Sequence, residues 1–184
     1  MTPHLVLVRH ARPRVDPGTP SSEWELSPEG RQAAGALAGR LAAFAPVRAI
    51  MSPEPKARQT ASAVCGPLGL APEADAGLAE TRRRSVGVLS PEALEAGIAR
   101  FFAEPDRLVF GEETADAAFD RFSAAVERHR PASGPMLVFS HGTVISLYVS
   151  RLSGVDPMSF WRSLQLPHAL ALGADGQVID SVTL

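Results

Sequence analysis

Short, almost continuous apolar runs break off abruptly into polar residues along this chain, and between them apolar residues recur at helical spacing. His4–Val8 (HLVLV), Val47–Met51 and Met136–Phe139 (MLVF) read as strands buried on both faces. Ser27-Pro28-Glu29 is a helix start with serine as N-cap and proline in the first turn. The helix that follows places Ala33, Leu37, Leu41 and Phe44 on one face. Ser52-Pro53 predicts the start of a second helix, with Arg58, Gln59 and Thr60 early and Ala61, Val64 and Cys65 later. Ala71–Gly77 reads as linker or weak strand.

From Leu78 to Glu113 the strand–helix rhythm is lost. The segment holds an arginine run (Arg82, Arg83, Arg84), a helix from Ser90-Pro91 to about Ala103, and a Gly-Glu-Glu turn. Thr114–Arg130 is a long amphipathic helix with Phe119, Phe122 and Val126 inward, and Thr143–Leu152 a further helix. Two tail strands, His168–Leu172 and Val178–Val182, flank an Asp175-Gly176 turn. Strands alternating with helices imply an α/β protein: a three-layer α/β/α sandwich with a mostly parallel central sheet. The expectation is one domain over residues 1–184, with 78–113 as a short cap insertion over one end of the sheet.

Composition narrows the picture by exclusion. The chain has 184 residues, enough for one domain with a full core. A formal charge of -2 gives no reason to expect nucleic acid as partner. No apolar run is long enough for a membrane helix, and Met1–Val8 has neither the basic start nor the cleavage site of a secretory signal. Cys65 is the only cysteine, which excludes an intrachain disulfide and favours a cytoplasmic home. Lys56 is the only lysine; the remaining basic residues are arginines, which suit bidentate phosphate recognition.

Two of the buried strands end in a histidine, as VLVRHA and VFSHG. In open α/β sheets ligands bind beyond the carboxyl ends of the strands. An imidazole there can attack phosphorus through one nitrogen if a backbone carbonyl fixes the other. Phosphoryl transfer otherwise asks for positioning and positive charge, which Arg9 and Arg58 would supply beside His10 and His141. A cysteine phosphatase is excluded, because the arginine due six positions beyond Cys65 is Ala71. No Gly-x-x-x-x-Gly-Lys loop exists, and the five histidines show no close metal-ligand spacing.

These blocks resemble the histidine phosphatase superfamily, also called phosphoglycerate mutase-like, and its small bacterial members in particular. Its Arg-His-Gly opening is matched by Arg9-His10, with Ala11 in the glycine position. Leu26, Ser27, Gly30, Gln32 and Ala33 match a Leu-Ser…Gly…Gln-Ala stretch. Ser52, Arg58, Gln59, Thr60 and Ala61 approach a Ser…Arg-x-x-Gln-Thr-Ala pattern, with tighter Arg–Gln spacing than usual, and Ser140-His141-Gly142 matches the later Ser-His-Gly.

The resemblance implies a metal-free, cofactor-free enzyme acting on a small phosphorylated substrate. His10 would be the nucleophile; Arg9, Arg58, His141 and Gly142 would bind the phosphoryl group. Glu80, in Leu78-Ala79-Glu80, would be the general acid. Hydrolysis of a phosphate monoester through phospho-His10 is the expected reaction. A phosphomutase of the phosphoglycerate mutase type and a catalytically weak phosphate-binding regulatory domain stand as alternatives. Asp16, His168 and the arginine run receive no role at this level.

Overall fold

The structure, a computed structural model, describes residues 3–184. Met1 and Thr2, the start of the stretch read for a secretory signal, lie outside the described residues. Six strands form one sheet in the order β3-β2-β4-β1-β5-β6. They are β1 (Leu5–Arg9), β2 (Arg48–Met51), β3 (Glu73–Ala74), β4 (Met136–Ser140), β5 (His168–Leu172) and β6 (Val178–Val182). The first four in spatial order run parallel, and the tail hairpin β5–β6 adds antiparallel to β1. The sheet is therefore mostly parallel, as the strand–helix alternation predicts.

Alternation along the central strands divides the core into two layers. Leu5, Leu7, Met136 and Val138 face one side, under α4 (Ala115–His129) and α5 (Gly142–Ser153). Val6, Val8, Leu137 and Phe139 face the other, under α1 (Pro28–Leu41) and α2 (Pro55–Leu68). Both faces are covered, which is why these strands are apolar throughout. The helix starts follow the capping rule: Ser27, Ser90 and Thr114 each accept the backbone N–H three residues on. The inward face of α1 carries Ala34, Leu37, Ala38 and Leu41, with Ala33 only partly buried.

Residues 78–113 contribute α3 (Pro91–Ala103), which lies on the α4/α5 side. Ile98, Phe101 and Phe110 form an apolar cluster there with Ala115, Ala118 and Leu147. A short helix not foreseen from the pattern, α6 (Pro157–Ser163), joins this cluster through Met158 and Trp161, and Arg162 on it pairs with Glu95 of α3. Its start carries the usual signal, since Asp156 accepts the Ser159 N–H ahead of Pro157. Among the described residues no helix is long and apolar enough to cross a membrane.

α1 is held against the loop beyond β1 by an approach that leaves no room for a side chain. A Cβ on Gly30 would lie 2.1 Å from the Arg12 carbonyl oxygen, the same oxygen that accepts the Ser27 N–H. Gly35 and Gly39, on the exposed face of the same helix, have no neighbour within 4 Å of where a methyl group would stand. Gly30→Ala is therefore expected to destabilise the protein by about 1–3 kcal/mol. Gly35→Ala should instead stabilise it by about 0.4–1 kcal/mol. Urea midpoints of the two variants check this; a shift of the same sign in both would contradict it.

Candidate active site

β1 and β4 are parallel neighbours with Arg9 opposite Ser140. The residues one step beyond each strand therefore emerge side by side, and the His10 N–H donates to the Ser140 carbonyl at 3.0 Å. The two imidazoles lie 5.2 Å apart between ring centroids, tilted by 60°. β2 ends beside β4, and its next residue, Ser52, donates its N–H to the Phe139 carbonyl. Three adjacent strand tips thus bring residues from distant parts of the chain into one crevice.

Each histidine is oriented by one nitrogen. Nδ1 of His10 lies 2.8 Å from the Ala11 carbonyl oxygen, so Nδ1 carries the proton and Nε2 keeps a free lone pair. Burial holds the His10 pKa well below the usual imidazole value, and His141 and Lys56 push it lower still. The ring is therefore neutral at pH 7. Nε2 of His141 lies 2.8 Å from Ser52 Oγ, which itself accepts the Glu54 N–H. The serine hydrogen is then free to bond Nε2, an arrangement that would make His141 Nδ1 a donor. Nδ1 is buried and has no partner among the described residues.

The cations bordering the crevice are Arg9, Lys56 and Arg83, and Arg58 is not among them. Arg9 donates to the Leu164 carbonyl through Nη1, while its buried Nε has no partner among the described residues. The Arg9 guanidinium crosses directly over Gly142, where a Cβ would stand 3.0 Å from Nε. A methyl group at Gly142 would push the guanidinium aside by a few tenths of an ångström.

Arg58 is exposed and does not line the crevice. The cause is the start of α2. Glu54 precedes a proline, which disfavours helical backbone, and it is extended at ψ 138°. The helix begins at Pro55 rather than at Ser52-Pro53 and turns Lys56, Thr60 and Ala61 inward. Arg58, two residues past Lys56, falls about 200° round the helix and faces solvent. Lys56 Nζ donates to Glu54 Oε2 and to the Ser21 carbonyl, both at 2.6 Å. The Lys56–Glu54 pair is almost wholly buried. Thr60 accepts the Ala11 N–H at 3.0 Å and so fixes the backbone that orients His10.

Glu80 reaches the same crevice from the loop after β3. Its Oε1 accepts the Thr81 N–H and its Oε2 the Thr143 N–H, while its own N–H donates to Glu54. Burial pushes the Glu80 carboxyl up, but Arg83, His141 and the Thr81 N–H outweigh it and hold it below the usual carboxylate value. The loop is tied down by Arg121 of α4. That guanidinium donates to the carbonyls of Gly77, Ala79 and Glu80 and pairs with Glu113 at 2.6 Å.

Arg9, His10, Lys56, Glu80, Gly142 and Thr143 border a cavity of about 160 Å³. It adjoins a chamber of about 560 Å³, with Ser21, Glu80 and Arg83 common to both. His168 stands apart, bonded to Ser181 and to the Gln165 N–H, and Asp16 is an exposed turn residue accepting the Gly18 N–H. Among the described residues no group of three or more His, Cys, Asp or Glu side chains is arranged to hold a metal ion.

Four functional candidates escape a reading of the sequence alone: Lys56, Glu54, Ser52 in its contact with His141, and Arg121. A signal for Lys56 was present. The Arg-x-x-Gln-Thr-Ala spacing that Arg58 breaks is satisfied when Lys56 takes the arginine position ahead of Gln59, Thr60 and Ala61. For Arg121 no local signal exists, because it lies mid-helix and acts on a loop some forty residues earlier.

Comparison with solved structures finds the same fold. A mycobacterial glucosyl-3-phosphoglycerate phosphatase superposes with a TM-score of 0.69 at 20% identity, covering 98% of this chain and 96% of that one. A phosphoserine phosphatase from Entamoeba histolytica, solved with 3-phosphoglyceric acid, gives 0.76 at 17% identity, covering 98% and 96%. A Thermus thermophilus protein gives 0.69 at 26% identity, covering 98% and 99%. No curated protein matches the chain by sequence. The model of the histidine phosphatase superfamily (branch 1) matches residues 5–172, nearly the whole chain, and the protein belongs to that superfamily.

Proposed function

We propose that the protein is a phosphatase that hydrolyses a phosphate monoester through a phosphohistidine on His10. The observation that carries this reading is His10 itself: a neutral ring locked by Ala11, with Nε2 free at a cavity bordered by Arg9, Lys56 and Glu80. Arg9 and Lys56 supply positive charge to the phosphoryl oxygens, the unpartnered Nδ1 of His141 offers a further contact from its buried position beside His10, and Gly142 gives the Arg9 guanidinium room. In the first step Nε2 attacks phosphorus, the P–O ester bond breaks, and the proton of the Glu80 carboxyl goes to the leaving oxygen. In the second, Glu80 takes a proton from water, whose oxygen attacks phosphorus as the N–P bond breaks. Residues 78–113 act as the cap that carries Glu80 and bounds the leaving-group side.

Hydrolysis is favoured over mutase chemistry by the chamber beside the site. It is bordered by exposed loop residues such as Arg82 and Val88, so water has access to the phosphoenzyme. A purely binding role is disfavoured by Glu80, since an anion receptor has no use for a carboxylate beside the ligand.

Rapid quenching of the enzyme with labelled phosphomonoester should trap an acid-labile, alkali-stable label on protein, absent from His10→Ala. No such label on the wild type, or undiminished turnover in His10→Ala, would overturn the reading. Glu80→Gln should slow hydrolysis of glycerol phosphate by about 10²–10⁴-fold and of nitrophenyl phosphate much less; equal losses would remove Glu80 as the acid.

Lys56→Met should lower kcat/KM by about 10²–10³-fold. Arg58→Ala should change it by less than about two-fold. The pH profile gives Lys56 a second readout. A cation beside His10 disfavours the imidazolium, so its removal raises the His10 pKa. The acid limb of kcat/KM in Lys56→Met should accordingly move to higher pH; a limb that stays in place would separate Lys56 from His10.

A further inference from the structure

Glu54 takes no part in the steps described so far, although it contacts three of the groups that do. Its Oε2 accepts from Lys56 Nζ at 2.6 Å, and its Oε1 accepts the Glu80 N–H at 2.8 Å. The same Oε1 lies 3.6 Å from His141 Nε2, beyond hydrogen-bond distance but close enough for its charge to be felt. The Glu54 side chain is 9% exposed and that of Lys56 7%. Glu54 borders the larger chamber but not the phosphoryl cavity, so it acts through these neighbours rather than on the phosphoryl group.

Lys56 has three hydrogens to give. Glu54 and the Ser21 carbonyl take two, and the third has no partner among the described residues. Lys56 borders the phosphoryl cavity, so that third hydrogen is the one available to a phosphoryl oxygen. The ammonium is therefore shared: it can meet an anion without letting go of Glu54. A neighbouring cation is answered in the same way. Of the arginine run only Arg83 turns inward, Arg82 and Arg84 being exposed, and Arg83 faces Glu80 at 3.9 Å. Arg9 alone of the three cations bordering the cavity has no carboxylate partner among the described residues; it donates to the Leu164 carbonyl instead. A phosphate dianion accordingly meets far less net positive charge than three unanswered cations would give it.

We propose that Glu54 is a positioning residue that sets how firmly the site holds free phosphate: its carboxylate keeps Lys56 in place and balances the ammonium, so that the phosphate left by hydrolysis departs readily. This rests on the phosphatase reading, because it takes the phosphoryl group to meet Lys56. An ammonium turned wholly to the anion would hold substrate and product phosphate alike. Such uniform binding adds nothing to the chemical step and slows release. A lysine suits the arrangement, since a compact charge with three rotatable donors divides among a carboxylate, a carbonyl and a phosphoryl oxygen. Without Glu54 the nearly buried ammonium would keep only the Ser21 carbonyl, and an unpaired buried charge is costly. Phosphate would then become its counterion, and would both bind more tightly and restore stability.

Inorganic phosphate is the probe, titrated calorimetrically into the full-length protein at neutral pH. Glutamine has the shape of glutamate and keeps an oxygen for the Glu80 N–H, so Glu54→Gln removes the charge with little change of form. It should bind phosphate at least about ten-fold more tightly than the wild type. Phosphate should also raise its Tm further than it raises that of the wild type. With nitrophenyl phosphate both kcat and KM should fall, whereas damage to the fold alone would raise KM. Glu54→Asp, which keeps the charge, should bind phosphate within about three-fold of the wild type. Phosphate binding in Glu54→Gln within about two-fold of the wild type or weaker, a KM that rises, or a gain in Glu54→Asp as large as in the amide would each overturn the proposal. Where Glu54→Gln does not fold, the paired replacement carries the test, because losing both members of a buried ion pair is better tolerated than losing one. Glu54→Gln/Lys56→Met should then bind phosphate at least about three-fold more tightly than Lys56→Met, in which Glu54 faces the anion without its partner; equal or weaker binding overturns it. Failure of the phosphohistidine reading would appear separately, as a missing acid-labile label on wild-type protein.

Discussion

The site depends on the register between two parallel strands. Arg9 lies opposite Ser140, and because β1 and β4 are buried on both faces, a slip of one residue would exchange their two core layers. Leu5 and Leu7 would then be driven into the space of Val6 and Val8, against α1 and α2. That penalty protects the register, and the register delivers His10 and His141 to neighbouring positions at the sheet's carboxyl edge. β2, paired to β4 on its other side, delivers Ser52 under the same constraint. The hydrophobic pattern of the core and the separation of the two imidazoles are one fact seen at two levels.

Around this edge the protein assembles more positive charge than it could hold without compensation. Arg9, Lys56, Arg83 and Arg121 all surround two neutral histidines, and Glu54, Glu80 and Glu113 answer them. The Lys56–Glu54 pair shows how the compensation is used. An ammonium is a compact, strongly hydrated charge that is costly to bury alone, and its carboxylate partner two residues earlier satisfies it in the unliganded site. Glu54 spends its other oxygen on the Glu80 N–H, so the group that neutralises Lys56 also locates the acid. Burial and the Lys56 and Arg9 charges hold His10 unprotonated, while a different cation, Arg83, holds the Glu80 carboxyl low, so the two groups answer to different parts of the same charged surround.

How much of this is legible in the sequence varies with the range of the cause. Strand tips are local events: HLVLV running into Arg-His and MLVF running into Ser-His place both histidines without any knowledge of packing. Glu80 rests on the match of Leu78-Ala79-Glu80 to the family pattern, since a glutamate on a loop carries no local signal of its own. The inward residue of α2 is a different problem, since it depends on where the helix starts. Ser52-Pro53 resembles a start, but Glu54 ahead of Pro55 delays it, and the delay decides that Lys56 rather than Arg58 faces His10. The two-residue β3 is too short for any periodicity. Arg121 belongs to a long amphipathic helix in which a half-buried arginine looks like any other polar position.

The same dependence explains why the cap segment could be bounded but not interpreted from its residues. An arginine run reads as a solvated basic loop, and two of its three members are that. The third differs only because Glu112 and Glu113, some thirty residues later, accept backbone N–H groups on either side of it and curl the chain around Gly111. Residues that resemble a helix cap in sequence therefore set the course of the arginine run along the chamber. Glu113 carries this one step further, because it binds both the Arg82 N–H and the Arg121 side chain that braces the Glu80 loop. The acid and the cation facing it are thus referred to a single buried carboxylate. Their spacing is preserved as a unit, because a shift of Glu113 would move the Arg82 backbone and the Arg121 brace together.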